Sequence, residues 1–272
     1  MMEKALLHQF SGFLNTPQIW EMAGPFPYSP FEVRNIDLQK MPVELHFPPT
    51  MVLGKRMERF FHFYVRHFSE EKIIAHNEQI IHEKRTLGEL DFLLKNERSG
   101  KVSHVELVYK YYLYDPEIAS EAERWTGPNH RDNLLLKLER LQQKQFPLLY
   151  REETRPLLEK LGITAEEVEQ KICFKANFFL PWDHPSQRID LPNDLVQGRW
   201  LRRKEFTPAR FGRETFFSPR KPNWPILPQH NTHWLSYDDL QEQIMPLLEK
   251  EQSPLIWMKT GNEYRRFFLV WW

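Results

Sequence analysis

The chain has 272 residues, with 37 basic side chains against 37 acidic ones, 21 prolines, 10 glycines and a single cysteine. That length allows one or two domains with a substantial core, and a net charge of zero excludes a uniformly basic coat while leaving local patches open. No two glycines lie closer than 12 positions, which excludes the dinucleotide fingerprint, the phosphate loop and the serine elbow, and with them a nucleotide cofactor. Cys173, standing alone, excludes an internal disulfide and a two-cysteine zinc site, and points to a reducing compartment. The first 20 residues carry no signal-peptide pattern and no run of 18 apolar residues occurs, so a soluble, cytoplasmic protein without a membrane partner is expected.

Residues 24–50 are proline-punctuated and aromatic, with Pro25, Pro27, Pro30, Pro42, Pro48 and Pro49, and read as irregular packing segments. Leu53, Met57, Phe60, Phe61, Tyr64, Val65 and Phe68 then fall on one stripe and predict a helix over 52–68. Three strands follow, over 72–81, 88–94 and 103–114, the last two joined as a hairpin by the polar 96–101 turn. A second helix is expected over 130–146, a third, acid-rich one over 164–170 with Thr164 as its cap, and an apolar strand over 172–180. Beyond Pro181 the composition shifts toward proline and tryptophan. A helix over 237–250 and a strand over 264–272 are predicted there. The reading is an α/β fold with a core over 1–180, ordered helix, three-stranded antiparallel start, helix, strand. An aromatic-rich C-terminal extension, 181–272, either forms its own core or packs on the first.

Strand alternation makes the hairpin informative. Leu90, Phe92 and Leu94 alternate with Glu89 and Asp91, and Val105, Leu107, Tyr109, Tyr111 and Leu113 alternate with His104, Glu106, Val108, Lys110 and Tyr112. Two adjacent strands thus present carboxylates on a partly apolar face, where an uncompensated charge is costly. A magnesium ion, which takes oxygen ligands, suits Asp91 and Glu106 and can activate water against a phosphodiester. Lys110 shares the face of Glu106 and is placed to orient the water or to neutralise phosphate charge, and Glu58 flanks the apolar stripe of the first helix within reach of the sheet. Glu89 reads as a polar neighbour.

The run Gly88-Glu89-Leu90-Asp91-Phe92-Leu93-Leu94, a turn, then His104-Val105-Glu106-Leu107-Val108-Tyr109-Lys110 resembles the core hairpin of the PD-(D/E)XK nuclease-like superfamily. More narrowly, residues 86–94, the 106–110 strand, Gly127-Pro128-Asn129 with Arg131-Asp132, and Arg266-Phe267-Phe268 resemble a bacterial family known as domain-of-unknown-function family 1853. The superfamily resemblance, over 52–180, implies a restriction-endonuclease-like core. In it Asp91 and Glu106 are metal ligands, Glu58 is the helix acid supporting a metal, and Lys110 is the catalytic lysine. One departure is plain: that lysine usually stands two residues after the acid, where this chain has Val108.

Residues 199–221 hold eight basic and two acidic side chains interleaved with Trp200, Phe206, Phe211, Phe216 and Phe217. Arg202, Arg203, Lys204, Arg210 and Arg213, with Arg131 and Lys137 of the second helix, are the candidate nucleic-acid contacts, and exposed aromatics there would stack on bases. Gln142 or Gln145 can line the cleft beside them. His62 and His67 lack the spacing of a helical metal pair, and His104-Val105-Glu106 lacks the cysteines of a deaminase zinc motif. The expected function is a magnesium- or manganese-dependent nuclease acting on DNA or RNA. The alternative is an inactive nuclease-like fold that binds nucleic acid or protein.

Overall fold

The computed structural model of the protein describes residues 2–19, 27–34, 36–38, 47–48, 50–184 and 193–272. Pro25, Pro42 and Pro49 of the expected irregular stretch lie outside them. The elements, in chain order, are α1 (Met2–Asn15), β1 (Ser29–Pro30), α2 (Leu53–Phe68), β2 (Glu71–His82), β3 (Arg85–Asn96), β4 (Val102–Tyr114), β5 (Trp125–Thr126), α3 (Leu134–Arg140), α4 (Arg155–Leu161) and β6 (Val168–Pro181). Then come β7 (Val196–Arg202), α5 (Pro208–Phe211), β8 (Thr215–Phe217), α6 (Tyr237–Leu248), β9 (Leu255–Thr260) and β10 (Glu263–Val270).

One mixed sheet runs β2-β3-β4-β6-β7-β10-β9-β8, with β1 added to β6 and β5 to β4. The two edges are antiparallel meanders, and the centre, β4-β6-β7-β10, is parallel. Parallel central strands are buried on both faces, and the cores divide by strand parity accordingly. Val105, Tyr111 and Leu113 of β4 and Cys173 and Phe179 of β6 pack with α1 and α2. Val108, Tyr112, Phe174, Phe178 and Leu180 pack on the opposite face beneath α3. The α4 cluster and the α6 cluster lie on that second face as well.

Several expectations are corrected. The 164–170 helix is a single turn, Ala165–Glu167, held by Glu167 Oε2 accepting from the amide and hydroxyl of Thr164 at 3.0 Å each. β6 already begins at Val168, because its backbone pairs with Val102 of β4. The second helix starts at Leu134, capped by Asn133 Oδ1 accepting from Leu136 N–H at 2.7 Å. It loosens to π hydrogen bonding over Leu141–Gln145 and tightens to a 3₁₀ turn over Phe146–Tyr150. α1, α4, β7 and β9 carry no sequence-level expectation. The chain after Pro181 extends the same sheet, β7 pairing parallel with β6 and β10 with β7. Among the described residues no helix is long and apolar enough to cross a membrane.

Gly198 permits this junction: a Cβ there would lie 2.4 Å from the Arg266 carbonyl oxygen and 2.7 Å from the Phe179 ring. Gly198→Ala is expected to destabilise by about 1–3 kcal/mol through overpacking. Gly54→Ala, on α2 with nothing within 4 Å of the added carbon, should stabilise by up to ~1 kcal/mol. Urea unfolding of both variants checks the pair.

Candidate active site

The site forms where β3 leaves β4. The ladder between them ends at Phe92↔Val105, so the next facing positions, Asp91 and Glu106, stand at the mouth of a fork. On the other side, β2 pairs His76 with Phe92 and Glu78 with Leu90, passing over Asn77 and Asp91. Asn77 has a left-handed backbone, φ 53°. The expected alternation on β3 therefore breaks here: Leu90 and Leu93 enter the core under α4, whereas Phe92 and Leu94 enter the core under α2. Asp91 turns its carboxylate toward β4, Oδ2 accepting from Leu107 N–H at 2.9 Å, in the place a ladder carbonyl would hold.

Glu106 is fully buried. His104, two residues earlier and on the same face, meets its Oε1 through Nε2 at 2.9 Å, and Gln145 donates from Nε2 to Oε2. Gln170 Nε2 approaches His104 Nδ1 at 3.4 Å and donates to the Phe146 carbonyl at 2.7 Å, an arrangement suited to the imidazole tautomer with its proton on Nε2. Lys137 donates to Gln145 Oε1 at 2.7 Å. A chain of polar contacts thus runs His104, Glu106, Gln145, Lys137. Burial first, and the charge of Glu106 second, push the Asp91 carboxyl well above the ordinary carboxylate range, against the hydrogen bond from Leu107 and the pull of Lys137. Burial also lowers the Lys137 pKa, opposed by Glu106 and Asp91 and reinforced by Lys110 and Arg140.

The other sequence-predicted residues are placed as follows. Lys110 is in an ion pair with Asp132, away from Glu106. Glu58 is bound by Lys55 at 2.7 Å and by Asn77 Nδ2 at 3.2 Å, and its charge reaches Asp91 without contact. Glu89 faces Lys55 at 3.7 Å. Glu58, Lys55, Asn77, His62, His76 and Phe92 help line a cleft of about 530 Å³ between α2 and β2. Among the described residues no group of three or more His, Cys, Asp or Glu side chains is gathered to hold a metal. Asp91 and Glu106 are brought together, and Glu58 stays outside the pair. Cys173 is buried, which pushes its thiol up to about 12 and removes it as a nucleophile.

The basic stretch is distributed. Arg202 pairs with Glu117 at 2.7 Å and Arg210 with Asp183 at 3.3 Å, while Arg203, Lys204, Arg213 and Arg131 are exposed. Four of its five aromatics do not offer the exposed faces that base stacking needs, and Phe217 is half-buried. Trp200, Phe206, Phe211 and Phe216 are buried in the cores, because the segment contributes β7, α5 and β8 rather than a loop.

Two residues acquire a part that sequence reasoning left vague. Gln145 and Lys137 stand only among possible cleft residues by sequence, since a regular helix over 130–146 gives no reason to single them out. The wide turn at Leu141–Gln145 decides their place. His104 carries a legible signal, the two-residue period that sets it beside Glu106.

The family model described as Domain of unknown function (DUF1853) matches residues 9–270. Neither the curated proteins nor the solved structures yield a match.

Asp91 supplies a pH test. A carboxyl whose native pKa is raised binds its proton more tightly folded than unfolded. Its cost to stability is absent below the ordinary carboxylate range, grows as pH rises, and is complete above the raised value. Asp91→Asn removes that cost and keeps an acceptor for Leu107. In a chelator, the variant should melt above the wild type at neutral pH, and the two curves should converge near about pH 4.

Proposed function

We propose that this chain, which belongs to the DUF1853 family, is a magnesium-dependent phosphodiester hydrolase acting on DNA or RNA, on a core of the PD-(D/E)XK kind. The order α2, then antiparallel β2-β3-β4, then α3, then β6 parallel to β4 supports that core. The observation that carries the chemistry is the fork, where two carboxylates stand in a buried place, so that burial first and the charge of Glu106 second raise the Asp91 pKa. Such a pair fits a hard divalent cation, which would supply the compensating charge. Asp91 and Glu106 are the ligands in this reading, with Glu58 near enough to add charge and not contact.

Bound there, magnesium or manganese would act as a Lewis acid toward a phosphoryl oxygen and lower the pKa of a water. The chain's own residues do the rest. His104 and Gln145 fix both oxygens of Glu106, so its position costs no reorganisation when substrate arrives. Lys137, one hydrogen bond beyond Gln145, supplies the ammonium that offsets charge growing on the phosphate. It takes the part the resemblance assigns to Lys110, whose partner is Asp132.

The rival reading, a nuclease-like fold that binds nucleic acid or protein without cutting, is favoured by one observation: both oxygens of Glu106 are already engaged. Metal dependence separates the two. Single-stranded, double-stranded and branched DNA, and RNA, are incubated with magnesium or manganese, and metal binding is followed by calorimetry. The enzyme cuts at least one substrate; Asp91→Ala and Glu106→Ala lose cutting and metal heat, and Lys137→Ala slows it by roughly 10²-fold. No cutting and no metal heat in the wild type would leave the binding module.

A further inference from the structure

We propose that Lys110, Arg131 and Lys221 form a second seat for a nucleic-acid backbone phosphate, beside the one at the carboxylate fork. The inference deepens the nuclease reading, resting on it for what the neighbouring site holds, and its test is independent of cutting.

Lys110 shares the face of Glu106 but stands four residues on, about 13 Å along the strand. That is too far for both groups to meet one phosphate and suits an adjoining position along the same chain. The turn before α3 brings the other members. Gly127 N–H donates to the Asp132 carbonyl at 2.7 Å, and the absent Cβ of Gly127 leaves room for the Asp132 carboxylate, whose Oδ1 would lie 2.1 Å from an added carbon. Asp132 thereby reaches Lys110, and Arg131 projects beside it, exposed.

The third cation comes from the C-terminal region. Trp224 packs edge-on to Tyr111 of β4 with ring centroids 5.1 Å apart, and Lys221 Nζ sits 5.3 Å from the Trp224 ring. This fastens Lys221 beside Tyr111, on the face of β4 opposite Lys110 and Tyr112, from where its charge reaches Lys110, Arg131 and Asp132. Burial lowers its pKa, and the charges of Lys110 and Arg131 lower it further, opposed by Asp132. Lys110 thus holds Asp132 in an ion pair, and Lys221 interacts with the charges of Lys110, Asp132 and Arg131. Beside them Tyr112, on the same face as Lys110, has a buried hydroxyl with no hydrogen-bond partner among the described residues, and burial first and Asp132 second raise its pKa, which keeps it a donor. A cluster with net positive charge and an unused donor is complementary to a phosphate.

The anchoring is extensive. Ser253 donates from its hydroxyl to the Pro128 carbonyl at 2.6 Å and from its amide to Asn129 Oδ1 at 2.9 Å, and Trp272 Nε1 donates to Pro128 at 3.2 Å. The C-terminal region therefore both supplies Lys221 and clamps the loop that carries Arg131 and Asp132.

The test measures binding of a fluorescently labelled single-stranded oligonucleotide by anisotropy over a range of salt, in a chelator so that no metal and no cutting contribute. Arg131→Ala/Lys221→Ala is expected to weaken binding about tenfold and to make the slope of log affinity against log salt shallower by roughly 1.4, at about 0.7 per lost cation. Lys221→Arg should keep the slope, and Asp132→Asn, which releases Lys110, should tighten binding. Lys160→Ala on α4 serves as an exposed control and should change neither quantity. The proposal is overturned if the double variant binds like the wild type, if Lys160→Ala loses as much, or if inorganic phosphate displaces the oligonucleotide at equal phosphate concentration. Asp91→Ala should abolish metal heat and leave the slope intact, so a failed nuclease reading and a failed phosphate seat give different results.

Discussion

A carboxylate with no access to water must be matched by donors, and Glu106 is such a group at the centre of this protein. Much of the surrounding chain is arranged to meet that need. His104 lies two residues before it because a strand returns to the same face every second residue. Gln145 reaches it because the helix after Asn133 widens at Leu141–Gln145. Gln170, on the strand paired with β4, steadies the imidazole from behind. Burial first and the neighbouring Glu106 second raise the pKa of Asp91 beside it.

The fork itself follows from sheet geometry. β4 lies between β3, which departs after Phe92, and β6, which stays in register from Val102 to Leu113. A strand held along one side and released along the other keeps its side chains placed while opening a gap at its free edge. Leu107 N–H, deprived of a ladder carbonyl, is met by Asp91, so the irregularity of β3 and the position of its carboxylate are one feature. Asn77, with its left-handed backbone on β2, marks the same level of the sheet. Local departures from regular geometry of this kind gather at functional positions.

The C-terminal region is structurally continuous with the core through β7 and β10. Arg266 shows how tightly: its buried guanidinium donates to Asn177 Oδ1 at 3.0 Å and to the Gln197 carbonyl at 3.2 Å, between the Phe179 and Trp257 rings. Burial depresses its pKa, and hydrogen bonds with flanking rings compensate the charge. Trp200 Nε1 donates to the Tyr114 carbonyl at 2.9 Å, tying the end of β4 to β7. The aromatic content of the second half is the material of this junction.

Sequence alone determined the elements whose burial repeats with a regular period. These are α2 with its apolar stripe and the alternating β4; β2 was legible from its β-branched pairs, β6 from its apolar run, and α6 and β10 within a residue or two of their expected ends. From alternation it expected Asp91 and Glu106 on one face if the two strands pair; the ladder ends at Phe92↔Val105, and Asp91 meets β4 through Leu107 N–H. It was silent on β7, which has no alternation of its own and exists through pairing on both sides with Gly198 at the point of closest approach. It placed an acid-rich helix where Val168 instead joins β4, since local propensity is weaker than a buried ladder. Which lysine stands at the carboxylates was decided only in three dimensions. Lys110 is drawn to Asp132 by a loop folded on Gly127, and Lys137 is drawn in by Gln145, and neither pull has a fixed spacing along the chain.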